Sequence, residues 1–163
     1  MDAWPARRGS VSPMPSAPRE VWGDLAATAF VEANALFRPL DQEARQDLLR
    51  LAQVEDYQAG ELIAADAQDE RIYLVRDGRA AVLLSRDGVA VEVGSLERNA
   101  IYGEGRVLGA PLPGALVART PVSVVTFPAP VMAAVVERFP KVRRMLEAVR
   151  TAREKDAADK LGT

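Results

Sequence analysis

Three carboxylates, Asp66, Asp69 and Glu70, lie close together in the sequence, and carboxylate oxygens are ligands that calcium accepts. Calcium loops of the EF-hand type place their ligands at alternate positions around a glycine, and this segment lacks that spacing. We therefore expect a solvated turn at these residues rather than a cation site.

The chain of 163 residues contains no cysteine and no histidine. Disulfides, thiolate nucleophiles, zinc sites of cysteine and histidine, and serine–histidine hydrolysis are therefore excluded. Enzymes of the cupin class hold their metal through histidines, so the lack of histidine disfavours a cupin-type enzyme as well. We find no pair of side chains suited to catalysis, and we expect a non-enzymatic protein without a metal or a resident cofactor.

The 21 basic and 23 acidic side chains give a net charge of −2, without the basic excess that phosphate-backbone binding usually needs. The longest apolar run, residues 127–136, is interrupted by Pro128 and Pro130 and is too short to span a bilayer. The first ten residues of the chain do not resemble a signal peptide. We expect a cytoplasmic protein that does not bind nucleic acid and has no membrane span, and the lack of cysteine is compatible with that compartment.

The N-terminal third divides into an arm and a helical region. Four prolines crowd residues 1–20, which predicts a flexible arm that cannot bury enough apolar surface to order itself. Residues 21–53 show helical spacing of apolar side chains in two segments. Asp24 and Asp41 stand at the expected N-caps of these two helices.

Residues 54–128 alternate between short apolar segments and glycine turns. Strands are predicted at 54–57, 62–64, 72–75, 80–85, 89–93, 115–118 and 122–127. The pairs Ala59-Gly60, Asp77-Gly78 and Asp87-Gly88 between them are typical of hairpins. Many short strands bounded by such turns predict a mainly β fold, a jelly roll or small barrel, flanked by helices.

Residues 129–163 return to helical spacing, and Pro140 suits the first turn of the last helix. That helix carries an apolar stripe, made of Val142, Met145, Val149 and Ala152. It also carries four arginines, Arg143, Arg144, Arg150 and Arg153. We expect the arginines to form a solvated face, and the stripe to serve a homodimer or a protein partner.

Several motifs occur in the order found in the cyclic nucleotide-binding domain family. Residues 57–63 (Tyr-Gln-Ala-Gly-Glu-Leu-Ile) and 72–79 (Ile-Tyr-Leu-Val-Arg-Asp-Gly-Arg) resemble its opening strands. Tyr102-Gly103-Glu104 resembles its Phe-Gly-Glu signature, and residues 117–120 resemble the strand after its phosphate cassette. The likeness extends over residues 37–150. It implies a cyclic nucleotide-binding-like jelly-roll β-barrel, a double-stranded β-helix, with N-terminal and C-terminal helices and a cassette-like loop at 102–114.

In that family, the anionic cyclic phosphate is bound by backbone N–H groups at the start of a short helix and by one arginine. A glutamate next to them accepts hydrogen bonds from the ribose. The resemblance places the ligand-binding residues at Gly103, Glu104, Gly105, Arg106 and Leu112. Leu112 stands where the family has its arginine. Arg106 is then the candidate replacement, or else it pairs with Glu104 at the surface.

A hydrogen bond to a charged group contributes about 1.5–3 kcal/mol, so losing the arginine lowers affinity roughly 10- to 150-fold. We therefore expect a stand-alone regulatory or protein-interaction domain that has lost cAMP and cGMP binding. The alternative is a genuine sensor of a cyclic mono- or dinucleotide that uses Gly103, Glu104 and Arg106. Relatives often continue into a DNA-binding helix-turn-helix, and we expect none here because too few residues follow Pro140.

Overall fold

The computed structural model describes residues 17–65, 70–109 and 114–162. The strands are β1 Arg19–Glu20, β2 Gln53–Tyr57, β3 Leu62–Ala65, β4 Arg71–Asp77, β5 Ala80–Arg86, β6 Val89–Leu96, β7 Ile101–Tyr102, β8 Ala115–Ala118 and β9 Val122–Pro128. The α-helices are α1 Leu25–Ala33, α2 Gln42–Leu51, α3 Glu104–Leu108, α4 Ala129–Arg138 and α5 Pro140–Leu161. The predicted order of flanking helices and central strands is confirmed.

The strands form two antiparallel sheets. One sheet has five strands in the order β1-β2-β9-β4-β7, and the other has four in the order β3-β8-β5-β6. From β2 to β9 the chain passes from one sheet to the other at every connection except that between β5 and β6. This alternation is the winding of a double-stranded β-helix, which confirms the predicted jelly roll.

The hairpin prediction is right for one of the three glycine turns. Asp87-Gly88 joins the paired strands β5 and β6, with the positive φ angles of 52° and 78° that a tight hairpin uses. The strands on either side of Gly60, and those on either side of Gly78, lie in different sheets, so these turns are corners. At Gly78 a Cβ would lie 2.1 Å from the carbonyl oxygen of Pro121, which leaves room only for glycine.

Helices α1 and α2 begin where the sequence predicts. The Asp24 carboxylate accepts a hydrogen bond from the backbone N–H of Ala27 at 3.0 Å. The Asp41 carboxylate accepts one from Ala44 at 2.8 Å. Each aspartate satisfies a backbone donor that the helix itself leaves without an acceptor.

The end of the predicted arm differs from the expectation. Arg19–Glu20 pairs with β2 and forms the edge strand β1, whereas the sequence assigned these residues to the arm. A strand of two residues is too short to show the alternation of side chains by which strands are recognised. Residues 1–16 of the arm lie outside the described residues.

Two apolar cores lie on opposite faces of the five-stranded sheet. In β4, Ile72 and Leu74 pack into a core formed with the helices, which we call the helical core. The intervening Tyr73 and Val75 face the four-stranded sheet and belong to the barrel core. The alternation along β4 follows from the period of two in an extended strand.

Helix α5 contacts both cores. Val142 and Leu146 are fully buried in the helical core. Further along the helix, Ala157 and Leu161 pack against the barrel core. The first half of α5 is therefore anchored beneath the sheet, and its second half lies against the barrel.

The apolar stripe of α5 faces the chain itself, which differs from the expected partner contact. Val142 is buried and Met145 packs against the helical core, whereas the half-buried Val149 and the exposed Ala152 line a pocket between α5 and β6. The first part of the stripe, Val142 and Met145, is therefore not available to a partner while α5 is packed in this way. Among the described residues, we find no helix whose length and apolarity would let it cross a membrane.

Candidate functional site

The turn before α3 is built around Gly103. Strand β7 pairs Tyr102 with Tyr73 of β4, which brings the turn against the start of β4. Gly103 is the N-cap of α3 with φ of 95°, a left-handed conformation that favours glycine. A Cβ at this position would lie 2.8 Å from the carbonyl oxygen of Arg71 and 2.5 Å from Nη1 of Arg106. The close approach of one backbone carbonyl and one side chain therefore requires glycine here.

Glu104, the first residue of α3, is almost completely buried, with 2% of its surface exposed. Its Oε1 accepts a hydrogen bond from Nη1 of Arg153 in α5 at 2.6 Å. Nη2 of the same guanidinium donates to the carbonyl oxygen of Ile101, also at 2.6 Å. A buried carboxylate is strongly unfavourable unless it is paired in this way. The predicted ribose-binding carboxylate is therefore held by an arginine of the last helix.

Arg153 corrects one expectation from the sequence. The arginines of α5 were expected to be solvated, but the Arg153 side chain is only 13% exposed. Its guanidinium also lies 5.5 Å from the centre of the Tyr102 ring. The sequence contains one signal for this role: Arg153 lies two helical turns after the buried Leu146, on the same face of α5.

Arg106, the candidate replacement for the arginine of the family, lies against the start of β4. Its Nη1 donates to the carbonyl oxygen of Arg71 at 3.1 Å, and its guanidinium lies 5.7 Å from the centre of the Tyr102 ring. A surface pair with Glu104 is wrong, because Glu104 is buried and bonded to Arg153. Arg106 secures the turn at Gly103 to the start of β4.

A pocket of about 250 Å³ lies between β6 and α5. Its apolar walls are formed by Val82, Val93, Leu96, Ile101, Val149 and Ala152. Its charged lining residues are Arg153 and Asp156. The volume is slightly below the ~300–1,000 Å³ of most ligand sites. The side chain that holds Glu104 is thus also part of the pocket wall.

Three residues of the predicted candidate sites lie outside the described ranges. Leu112, in the expected arginine slot, is one of them, and Asp66 and Asp69 of the acidic cluster are the others. In residues 17–65, 70–109 and 114–162, no group of three or more acidic side chains is arranged to hold a metal ion. Gly103, Glu104, Gly105 and Arg106 are brought together at the start of α3.

Comparison with solved structures shows the same fold. A Ruegeria pomeroyi protein assigned as cyclic nucleotide binding is similar at a TM-score of 0.63 and 24% identity, over 86% of this chain and 63% of its own. A regulatory subunit of a cAMP-independent protein kinase A from Trypanosoma cruzi, bound to guanosine, has a TM-score of 0.58 and 19% identity, over 78% of this chain and 50% of its own.

A variant of the corresponding Trypanosoma brucei subunit, bound to cAMP, has a TM-score of 0.66 and 16% identity, over 87% of this chain and 53% of its own. The chain therefore spans about half to two thirds of the length of these proteins. At such identities, the likeness shows the fold alone.

No curated protein sequence matches the chain. The family model of the cyclic nucleotide-binding domain matches residues 54–139, from β2 to the end of α4 and including the site at Gly103 and Glu104. This match covers more than half of the sequence, and the chain therefore belongs to the cyclic nucleotide-binding domain family.

Proposed function

We propose that this chain is a regulatory domain of the family that does not bind cAMP or cGMP at signalling concentrations and acts through protein partners. One observation carries the proposal: Glu104, the carboxylate that a ribose would need, is bonded to Arg153 of the same chain. A ligand must therefore compete with a charged, buried partner for this group. Such bonds are about twice as strong as those between neutral groups.

The charges around the pocket also disfavour a cyclic phosphate. Among the described residues that line it, Arg153 is the one cation, and it already donates to Glu104 and to the carbonyl oxygen of Ile101. Asp156 adds a negative charge to the same wall. Because Leu112 stands in the slot expected for the arginine, an anion entering this pocket gains little electrostatic compensation.

A similar protein offers a parallel for the effect of an added arginine. The Trypanosoma brucei regulatory subunit is named cAMP-independent, and its complex with cAMP was obtained with a variant carrying three substitutions, one of which replaces threonine by arginine. An added guanidinium on this fold thus accompanies cAMP binding in that protein. We infer that the same addition would restore binding here.

A second candidate function is the sensing of an uncharged nucleoside. The pocket has mostly apolar walls and a polar end at Arg153 and Asp156, which suits a flat neutral ring better than an anion. The Trypanosoma cruzi subunit, which shares the fold, is bound to guanosine. A cyclic nucleotide sensor that relies on Arg106 is less well supported, since Arg106 donates to the backbone of Arg71.

Calorimetry and thermal shift on the full chain test the proposal with cAMP, cGMP, cyclic di-GMP and guanosine. We expect no heat of binding and no thermal stabilisation with the three cyclic nucleotides at millimolar concentration. Stabilisation by any of them at low micromolar concentration would contradict the proposal. Stabilisation by guanosine alone would establish the second candidate.

The arginine slot gives a gain-of-function test. We expect Leu112→Arg to strengthen cAMP binding roughly 10- to 150-fold over the wild type, because one hydrogen bond to a charged group contributes about 1.5–3 kcal/mol. Leu112→Gln is the neutral control and is expected to leave binding unchanged. Equal cAMP affinities of Leu112→Arg and Leu112→Gln in calorimetry would show that the wild type does not lack binding for want of a guanidinium at position 112.

A further inference from the structure

We propose that the outer face of α1 and the adjacent end of α2 bind a second copy of this chain in a two-fold symmetric dimer. We call this face the α1 surface, and its main residues are Trp22, Leu25, Ala29, Glu32, Arg50 and Leu51. The inference rests on the proposed function in one respect, since it names a partner for the protein interactions of the domain.

Helix α1 is apolar on its outer face as well as on the face that it buries. Ala27, Phe30 and Val31 pack into the helical core. Apart from Glu32, the outer residues are alanines and Leu25. A helix that is apolar around its whole circumference is typical of a buried element. Leu25 is nevertheless 86% exposed, so the described part of the chain leaves this face uncovered.

Two more large apolar side chains lie beside the start of α1. The backbone N–H of Val21 donates to the carbonyl oxygen of Ala52 at 3.2 Å, which places Trp22 next to the end of α2. Trp22 and Leu51 are each about half exposed. Of the four large apolar side chains that are exposed in the described residues, three therefore lie at this junction, and the fourth, Val89, begins β6. Such clustering is typical of an interaction surface.

Arg50 and Glu32 place opposite charges at the two ends of the α1 surface. The Arg50 guanidinium lies 5.1 Å from the centre of the Trp22 ring, beside the start of α1. Tryptophan and arginine are over-represented among the residues that contribute most to protein interfaces. Glu32 lies two turns beyond Leu25 on the same exposed face. Neither charge forms an ion pair with a residue of the described ranges.

These two charges favour a second copy of the chain as the occupant. A two-fold interface brings the same surface together from both subunits, so that surface must be complementary to itself. When two α1 helices pack antiparallel, the Arg50 end of each lies against the Glu32 end of the other, and two ion pairs form. The small side chain of Ala29, between the two ends, lets the helices approach closely.

The size of the α1 surface indicates a weak dimer. Helix α1 has nine residues and is therefore about 14 Å long. We expect the contact to bury less than the ~1,600 Å² in total that is typical of stable complexes. Dimerisation should then depend on protein concentration.

Sedimentation velocity of the full chain, without nucleotide, tests the dimer from about 10 μM to about 1 mM. We expect the mass to rise with concentration from that of one chain towards that of two. Leu25→Glu places a charge in the apolar part of both surfaces and should remain monomeric. The substitution should not disturb the fold, because Leu25 is exposed and acidic side chains are favourable in the first turn of a helix. The matched control is Val89→Glu, at a residue that is 62% exposed on the other sheet, which should dimerise like the wild type.

Reversal of the charges tests the two-fold arrangement. We expect Glu32→Arg and Arg50→Glu each to raise the dissociation constant about fivefold or more, because each removes both ion pairs. The double variant restores opposite charges at the two ends and should recover most of the lost affinity. A second copy of the chain predicts this recovery, whereas a different protein or another segment of the chain on this surface does not.

A wild type that stays monomeric at about 1 mM would overturn the proposal. So would a Leu25→Glu variant that dimerises as strongly as the wild type, or a double charge variant that recovers no affinity. Nucleotide titrations decide the proposed loss of nucleotide binding separately, because no nucleotide enters the sedimentation measurements.

Discussion

Glu104 and Arg153 are two charged side chains that the fold removes from water together. Their side chains are 3% and 13% exposed, and the 2.6 Å between Oε1 and Nη1 is typical of a bond between two ionised groups. Either side chain alone would be unfavourable at this depth. The presence of one therefore accounts for the burial of the other, and the site is occupied by an internal ion pair.

Gly103 is the residue at which a single methyl group should disturb this arrangement most. We expect Gly103→Ala to lower the free energy of unfolding by about 2–4 kcal/mol, from the left-handed backbone and from overlap with Arg71 and Arg106. The matched control is Gly109→Ala at the other end of α3, with φ of 77° and no atom within 4 Å of the added Cβ. Gly109→Ala should lower the free energy of unfolding by about 1–2 kcal/mol, from the left-handed backbone alone. If urea unfolding gave the same loss of unfolding free energy for Gly103→Ala and Gly109→Ala, the close contacts of Gly103 with Arg71 and Arg106 would have no role in stability.

The sequence predicted one half of the ion pair and missed the other. Gly103 and Glu104 were found because a local motif, read with the strands around it, marks the turn. Arg153 was not found, because its partner lies on another element. The spacing of apolar residues in α5 indicates only which face of the helix is apolar. An arginine on an apolar helical face, two turns beyond Leu146, is the signal that sequence reasoning could have used.

At the scale of elements, the pair joins α3 to α5, and a double-mutant cycle measures that connection. We expect Glu104→Gln and Arg153→Gln each to lower the free energy of unfolding by roughly 2–3 kcal/mol. This is less than the ~3–5 kcal/mol typical of a broken buried pair, because the Arg153 side chain is 13% exposed and water can therefore reach the remaining charge. In urea unfolding, the double variant should lose little more unfolding free energy than either single variant.

The exposed pair Arg143–Glu147 on the outer face of α5 is the control for this cycle. Both side chains are about half exposed, so we expect a coupling of only about 0.3–0.5 kcal/mol between them. Additive losses for Glu104→Gln and Arg153→Gln would show that α3 and α5 are held together by packing rather than by this ion pair.

Elements were predicted well where the signal is local. Asp24 and Asp41 mark their helices because capping depends on neighbouring residues, and the longer strands show alternation within themselves. The edge strands β1 and β7, with two residues each, are too short for that pattern. Corners and hairpins were confused, since glycine supplies the positive φ of both, and the choice between them depends on which distant strand pairs next.

At the scale of the molecule, α5 connects the two cores that the five-stranded sheet separates. Its first half belongs to the helical core through Val142 and Leu146, and its second half touches the barrel core through Ala157 and Leu161. A change at the mouth of the barrel can therefore alter the position of a helix whose other end is fixed beneath the sheet. This geometry suits a regulatory domain, because occupancy of the pocket and exposure of a helix surface become linked.

Two leucines of α5 distinguish the stability of the whole fold from that of the last turns of the helix. Leu146 is fully buried, so we expect Leu146→Ala to lower the free energy of unfolding by about 2–5 kcal/mol. Leu161 is only partly buried, so Leu161→Ala should cost about 1 kcal/mol or less in urea unfolding and yet raise amide exchange in residues 150–161. If Leu161→Ala instead destabilised the whole chain as much as Leu146→Ala, α5 would be one cooperative unit with the fold. The helix end could not then open independently, and control of the pocket would have to come from another element.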